Sequence, residues 1–467
     1  MVRRLPRTET VVWCDSARQH PVTGRWSLLG FDPWLTLTAQ GDQLELRTRS
    51  ATRRWRANPL DGLRDVLRRY RAPATSQLHG RAIGLLGFLS YDLNRWIEPR
   101  LLSGEPTSSG SAIPEMAWFG MRTVILVDHL EASTWLFRVM DPHVPQPLAR
   151  AEARASLDET ASWLRGLSVL TPAPVPDRHP VTSRAPLQPT STQAEFEAMV
   201  GRALEYIRAG EIFQANVSQR FTTSWDDDPL ALYHTLRDIN PSPFACFLRW
   251  GDMAVVSCSP ERLVRVQEGR VETRPIAGTR PRGATPEDEA VHGLELLLSE
   301  KERAEHLMLV DLARNDLGRM CRVGTVAVDE LMALETYSHV IHIVSNVAGT
   351  LHPRNDAVDV IRAIFPGGTI TGCPKVRCME ILRELEPVAR GLYTGSLGTI
   401  GFDGTMDLNI AIRTMVMDGR RLSFHVGAGI VADSDPEREY HETLSKAEAL
   451  RCALGLSSLR PHADAIL

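Results

Sequence analysis

Residues 263–283 read LVRVQEGRVETRPIAGTRPRG, and the first eleven of them decide the fold class. Val264 and Val266 alternate with Arg265 and Gln267, Glu268-Gly269 marks a tight turn, and the alternation resumes through Val271. Period-two patterning on both sides of such a pair predicts an antiparallel β-hairpin. Arg274–Gly283 follow with two prolines, two glycines and three arginines. The turn rules make this a rigid connector. It also has the makings of an anion site. Gly278 has no Cβ to hold a ligand off, Thr279 adds a hydroxyl, and arginines favour negative charge. Ala277 stands in the middle, where a reactive side chain would be expected.

Before the hairpin, IFQANVSQRFT, FACFLRW and MAVVSCS are strand-like. After it, Thr285-Pro286 opens a helix with proline at the first position, and Ser299-x-x-Glu302 reads as a capping box for a second helix, EKERAEHLMLVDLARN. Asp403-Gly404 and Asp418-Gly419 then punctuate three strand-like runs, a meander with tight turns. Runs of strands and runs of helices, without strict βαβ alternation, predict an α+β fold.

The first 140 or so residues read as β-rich, with strands in WLTLT, LELRT, AIGLLGFLSYD and TVILVDH and a helix from Pro59 to about Tyr70. A helix is expected over Ala149–Leu167. Pro172–Pro189 holds six prolines and no apolar periodicity, the mark of a linker. Thr192-x-x-Glu195 caps a helix that runs to Gly210, with Phe196, Met199, Val200, Ala203, Tyr206 and Ile207 on one face. The chain thus divides into an N-terminal region (1–170), a linker (171–190), a main region (191–456) and a tail (457–467). There is no internal repeat.

The 467 residues are 43% hydrophobic and 24% charged, ordinary for a globular protein with ample length for a core. A net charge of −4 argues against nucleic acid or an anionic membrane as partner. No apolar run is long enough to span a bilayer, and the basic N-terminus lacks the apolar stretch of a signal peptide. Seven scattered cysteines make neither a CxxC pair nor a disulfide framework, so a reducing cytoplasm is expected.

Two Glu-x-x-Glu pairs, Glu302/Glu305 and Glu439/Glu442, can each present two carboxylates on one helix face. Four carboxylates without a His/Cys cluster suit a hard cation such as Mg2+. Solvated helix faces are the commoner origin of such pairs, and Glu442 is four residues before Lys446. Glu261 in SCSPERL follows a strand; it is a general acid if buried and a loop carboxylate otherwise. His342 in SHVIHIVSN has the surroundings of a satisfied core histidine. Arg413 lies within LNIAIRTMV, read as a buried strand, and there it needs an anionic partner. GGTITGCPK resembles a phosphate loop, but Cys373 and Pro374 occupy the positions of its Lys and Ser/Thr. GAG at 427–429 lacks a third glycine and runs on into a strand.

Together, RPIAGTRPRG, SPERL, EKERAEHLMLVDLARNDLGR, YSHVIHIVSNV, FPGGTITGCPKVRCMEIL, GLYTGSLG, LNIAIRTM and GAGIVADSDPEREYHETLSKA occur in the order shared by chorismate-utilising enzymes. The chain resembles the large subunits of aminodeoxychorismate synthase and anthranilate synthase, strongly over about 190–455 and more weakly through WCDSA, GRWSLLGFDP and GFLSYDLNRWIEP. The resemblance implies two large, mainly antiparallel sheets packed face to face with helices outside, and a Mg2+-dependent chorismate site. On this basis Glu305 and Glu442 are direct metal ligands, with Glu302 and Glu439 acting through intervening water. Gly278 and Thr279 bracket the ring carboxylate. Thr369, Tyr393, Arg413, Gly427 and Lys446 line the substrate pocket. Glu261 is the acid that assists loss of the 4-hydroxyl, and His342 is the family's active-site histidine. Gln214 falls where water-adding relatives carry a lysine base, and its neutral amide suits an enzyme that uses ammonia.

The resemblance divides over the reaction. Many aminodeoxychorismate synthases carry PIKGT, whose lysine attacks the ring; Ala277 replaces it here, as in anthranilate synthases. FPGGTITG, GLYTGSLG, MDLNIAIRT and VADSDPEREYHET are closer to the aminodeoxychorismate form, and WCDSA departs from the LLES-type stretch linked to tryptophan feedback. The expected activity is amination of chorismate to 4-amino-4-deoxychorismate through noncovalent 2-amino-2-deoxyisochorismate, with anthranilate formation as the alternative. None of the cysteines sits in a G-x-C-x-G elbow, so ammonia is expected from a separate glutamine amidotransferase subunit.

Overall fold

In the computed structural model the hairpin of residues 263–273 forms as read. Arg262–Gln267 and Arg270–Thr273 pair antiparallel, and Glu268 and Gly269 turn the chain at φ 52° and 75°. Two successive positive φ values match the right-handed twist of the strands they join. The structure describes residues 2–18, 23–73, 77–102, 113–140, 144–168, 185–283, 285–336 and 340–456. Most of the proline-rich linker and the tail after 456 lie outside these.

The described residues form 21 strands in one hydrogen-bonded network, and all the ladders are antiparallel. The α+β, mainly antiparallel expectation holds. The N-terminal region is woven into the rest: Val11–Asp15 pairs with Phe244–Trp250, and Gly84–Leu89 pairs with Ser396–Gly401. One core joins Leu35, Leu37, Leu44 and Leu46 from the first region to Val264, Val266 and Val271 from the hairpin. A second packs Phe196, Met199, Val200 and Ala203 onto Ala215, Val217, Ala428 and Ile430. Each such fully buried side chain contributes roughly 1.5–3 kcal/mol. All seven cysteines are free.

Helix starts follow their caps. Thr192 and Glu195 make a reciprocal capping box for Gln193–Arg208, as Thr285 and Asp288 do for Pro286–Leu298. Three expectations need correction. Ser299 accepts from the Glu302 N–H, but the Glu302 carboxylate does not return to Ser299; it pairs with Arg280 Nη1 at 3.2 Å. The connector RPIAGTRPRG is in its middle a strand, Ile276–Pro281, because the edge of Val340–Thr350 is available to pair it. LNIAIRTMV is not one strand: pairing stops at Asn409 and restarts at Thr414, with Arg413 at φ 50° between them.

Candidate active site

The strand Ile276–Pro281 carries a bulge. Ala277 lies opposite Ile343 and Thr279 opposite His342, leaving Gly278 extra at φ 66°. A Cβ there would stand 2.9 Å from Leu296 Cδ1 and 3.0 Å from Glu302 Oε2, so the bulge needs glycine sterically as well as conformationally. The Gly278 carbonyl meets His342 Nδ1 at 2.9 Å. A carbonyl only accepts, so Nδ1 carries the proton and Nε2 is the acceptor. Burial lowers the His342 pKa, and Arg413 adds to this against the raising effect of the Gly278 carbonyl; the ring is neutral at pH 7. The Thr279 side chain lies outside the described positions.

Glu261 sits between the strands Met253–Ser259 and Arg262–Gln267 and is 6% exposed. Burial pushes its carboxyl up to about 7, although a 2.8 Å bond from the Thr369 hydroxyl to Oε1 favours the ionised form. A cavity of about 30 Å³ beside it is lined by Thr369, Gly367 and Gly368. The structure thus gives Thr369 a hydrogen bond to the acid.

Residues 410–413 run alongside 258–261. Ile410 N donates to Glu261 O at 3.0 Å, and Cys258 N to Arg413 O at 3.2 Å, so Arg413 stands three residues along the chain from the Glu261 contact. Arg413 Nη1 donates to Asn240 Oδ1 at 2.7 Å. Among the described residues no carboxylate lies within ion-pair distance of Arg413, and burial lowers its pKa. A half-buried guanidinium facing a neutral amide lacks a counter-charge among the described residues.

The two helices that begin at Glu300 and Pro436 bring the four glutamates toward one another. Burial raises the pKa of Glu305, and Glu302, Glu439 and Glu442 raise it further against Lys301. Burial likewise raises Glu439, with Glu442 adding to it. Glu439 Oε2 is buried without a hydrogen-bond partner. Converging carboxylates with an orphaned oxygen fit a hard divalent cation. The cage is not ready-made: among the described residues no three His, Cys, Asp or Glu side chains already form a metal-holding group. Glu302 is held by Arg280, and Glu442 by Lys446 at 2.7 Å.

Lys446 also donates to Gly427 O at 3.1 Å, joining the glutamate helix to the strand Arg421–Ile430. A Cβ on Gly427 would stand 2.8 Å from the Tyr393 hydroxyl and 2.9 Å from Asn216 Nδ2. Tyr393 is 7% exposed and stacks on His425 with centroids 5.2 Å apart. Gln214 lies nearby, its Nε2 2.7 Å from a Cβ placed on Gly429 and its Oε1 buried without a partner. Sequence reading missed Asn216 and Asn240, and it gave Arg280 to an anion site where the structure pairs it with Glu302. Only the folded chain brings them to Gly427, Arg413 and Glu302.

The model of the "chorismate binding enzyme" family matches residues 11–451. The chain is 42% identical over 446 residues to an anthranilate synthase component 1 of Synechocystis sp., covering 91% of this chain and 87% of that one. It is 41% identical over 436 residues to the aminodeoxychorismate synthase component 1 of Bacillus subtilis, covering 93% and 90%. It is also similar to the crystal structure of anthranilate synthase component I from Streptococcus pneumoniae TIGR4, with TM-score 0.78, 33% identity and coverage of 92% and 93%. A match over nearly the whole chain, with relatives above 40% identity over most of both chains, has one meaning: the chain belongs to the chorismate-binding enzymes.

Proposed function

We propose that this protein aminates chorismate with ammonia from a separate glutaminase subunit and releases 4-amino-4-deoxychorismate. The observation that carries the reading is Glu261. A hydroxyl is a poor leaving group, and a buried carboxyl with a pKa of about 7 keeps a proton to give it at neutral pH. Thr369 holds that carboxyl in place. Arg413 takes the enolpyruvyl carboxylate as its missing counter-charge, and Tyr393, Gly427 and Lys446 shape the surrounding wall. Gly278 borders the ring carboxylate. When bound through Glu305 and Glu442, with Glu302 and Glu439 behind intervening water, Mg2+ would supply positive charge for that carboxylate. Two fixed ends orient the ring against Glu261. Gln214 offers no base to activate water, which favours ammonia as the nucleophile.

Ala277 presents no amine, so ammonia attacks the ring directly and gives free 2-amino-2-deoxyisochorismate; a second ammonia then installs the 4-amino group as the first amine leaves. The same residue favours a second reading, in which the first intermediate loses pyruvate to give anthranilate. Product analysis with chorismate, magnesium and an ammonium salt decides between them. Anthranilate fluorescence without any added lyase would overturn the first reading. Ala277→Lys sharpens the test: on the first reading the variant accumulates a covalent adduct visible by mass.

A further inference from the structure

The stretch GGTITGCPK, residues 367–375, ends on a lysine that turns inward. Lys375 is 8% exposed, and its ammonium donates to Asp316 Oδ2 at 2.8 Å and to Ile364 O at 3.0 Å. Asp316 is 3% exposed and belongs to the helix Glu300–Gly318, which also carries Glu302 and Glu305. Ile364 ends the helix Ala357–Ile364, and Lys375 begins the helix Lys375–Leu385. One ammonium therefore draws together both ends of the loop 365–374 and fastens them to the glutamate helix.

That loop carries Thr369, whose hydroxyl donates to Glu261 Oε1 at 2.8 Å. Its backbone lies against the same helix: a Cβ on Gly368 would stand 2.2 Å from Leu312 Cδ2. Leu312 and Asp316 are four residues apart and so share a helix face. The cavity of about 30 Å³ beside Glu261 is lined by Asp316, Ile364 and Thr369 together, and Arg262 is the other charged side chain in its wall. The second half of the loop has fastenings of its own, with Arg390 on Ile370 O and residues 214–215 paired to Gly372–Cys373. Lys375 fastens the start of the loop, from which 365–369 lead to Glu261. Two buried charges in contact add little net stability, because desolvation offsets their attraction. What they add is a fixed point. Arg319 from the same helix, Glu98 from the first region and Cys373 from the loop are the other titratable groups that bear on the pair.

We propose that Lys375 is a positioning residue that acts through Thr369: by pinning the loop to the glutamate helix at Asp316, it holds the Thr369 hydroxyl on the Glu261 carboxyl. The inference rests on the function proposed above in taking Glu261 as the acid. The Thr369 bond favours the ionised carboxyl, so slackening the loop should raise the Glu261 pKa as well as misplace its proton. A lysine that only stabilised the fold would do neither.

The test replaces the pair together, Asp316→Leu with Lys375→Met, because Lys375→Met alone strands Asp316 as an uncompensated buried charge. Thr369→Val, and all three changes combined, complete a double-mutant cycle. Chorismate consumption with magnesium and an ammonium salt is followed against pH. The Glu261 carboxyl is titrated separately by carbon NMR of glutamate-labelled protein, its signal assigned by its absence from Glu261→Gln. The pair variant should lose about tenfold or more in kcat with the chorismate KM within about twofold, and its alkaline limb should move up from about 7. Thr369→Val should do the same, and adding the pair changes to it should cost less than about twofold more. Full additivity of the two losses, a kcat within about twofold of wild type in the pair variant, or a Glu261 titration that stays put in Thr369→Val would overturn the positioning role. The last is readable even from a pair variant that does not fold. Anthranilate as the wild-type product refutes the proposed function and leaves this test intact, since either reaction consumes chorismate. A carboxyl that titrates higher in both variants, beside wild-type turnover without an alkaline limb, refutes Glu261 as the acid and upholds the tether.

Discussion

Two arginines in this protein, one buried and one half-buried, live under opposite rules. Arg390 is 3% exposed and fully answered: Glu386 takes its Nε and Nη2 at 2.8 and 2.7 Å, and Ile370 O takes Nη1 at 3.0 Å. Glu386 in turn accepts the Ser218 N–H and hydroxyl at 2.9 and 2.8 Å. Arg413 has one neutral partner, Asn240. The first network is complete. Among the described residues the second has no carboxylate partner, and the Glu261 carboxyl has no positive one. An incomplete polar network is costly in a folded core unless a ligand completes it. The Arg390 network is closed within the protein, whereas Arg413 and Glu261 leave their charge requirements unmet among the described residues.

The contrast can be broken in several ways. Glu261→Gln should cut ammonium-dependent turnover by about 10²–10⁴-fold while chorismate binding survives. Turnover within about tenfold of wild type, measured by chorismate absorbance, would remove Glu261 as the acid. Arg390→Met should cost roughly 3–5 kcal/mol of stability by orphaning Glu386. Arg413→Met should leave thermal unfolding nearly unchanged and raise the chorismate KM, by roughly 2–5 kcal/mol of binding. Reversed effects in the two variants would mean that the structural and ligand roles are exchanged.

A pH series sharpens the same point. The folded pKa of Glu261 lies above the ordinary carboxyl value, so the folded chain keeps a proton the unfolded chain has lost. That stabilisation is complete below about 4.5 and is lost as pH rises through about 7. Denaturant melts of wild type should therefore weaken by roughly 3 kcal/mol across this window relative to Glu261→Gln. Turnover should fall on the same alkaline limb, and a flat profile through pH 7 would exclude Glu261 as proton donor. The smallest effect concerns the glutamate helix. Ser299→Ala removes the cap on the Glu302 N–H and should cost about 1 kcal/mol in a thermal melt, with no change at Glu261.

Much of the fold was legible because its signals are local. The hairpin turn at Glu268-Gly269, the Thr192 and Thr285 caps and the apolar face of Gln193–Arg208 are each contained within one element. The misreadings came from distant partners. Nothing in RPIAGTRPRG alternates; it becomes a strand because residues 340–350 pair with it. Nothing in LNIAIRTMV signals a break, yet Asn240 binds Arg413 from 173 positions away. Glu302 was explained by its cap, which hid its second allegiance to Arg280. The candidate site residues were named through their order along the chain. The burial that raises the Glu261 pKa is a property of the folded molecule, and no spacing of residues encodes it.

The pairing of Leu89 with Ser396 and of Val11 with Arg249 has a consequence for how the protein is made. Contacts between such remote segments form late, because a long loop must close before any ladder bond rewards it. The N-terminal strands must therefore wait on the ribosome, edges exposed, until their C-terminal partners emerge. Arg413 and the second glutamate helix lie later still in the chain, so the candidate site is among the last parts of this molecule to come into being.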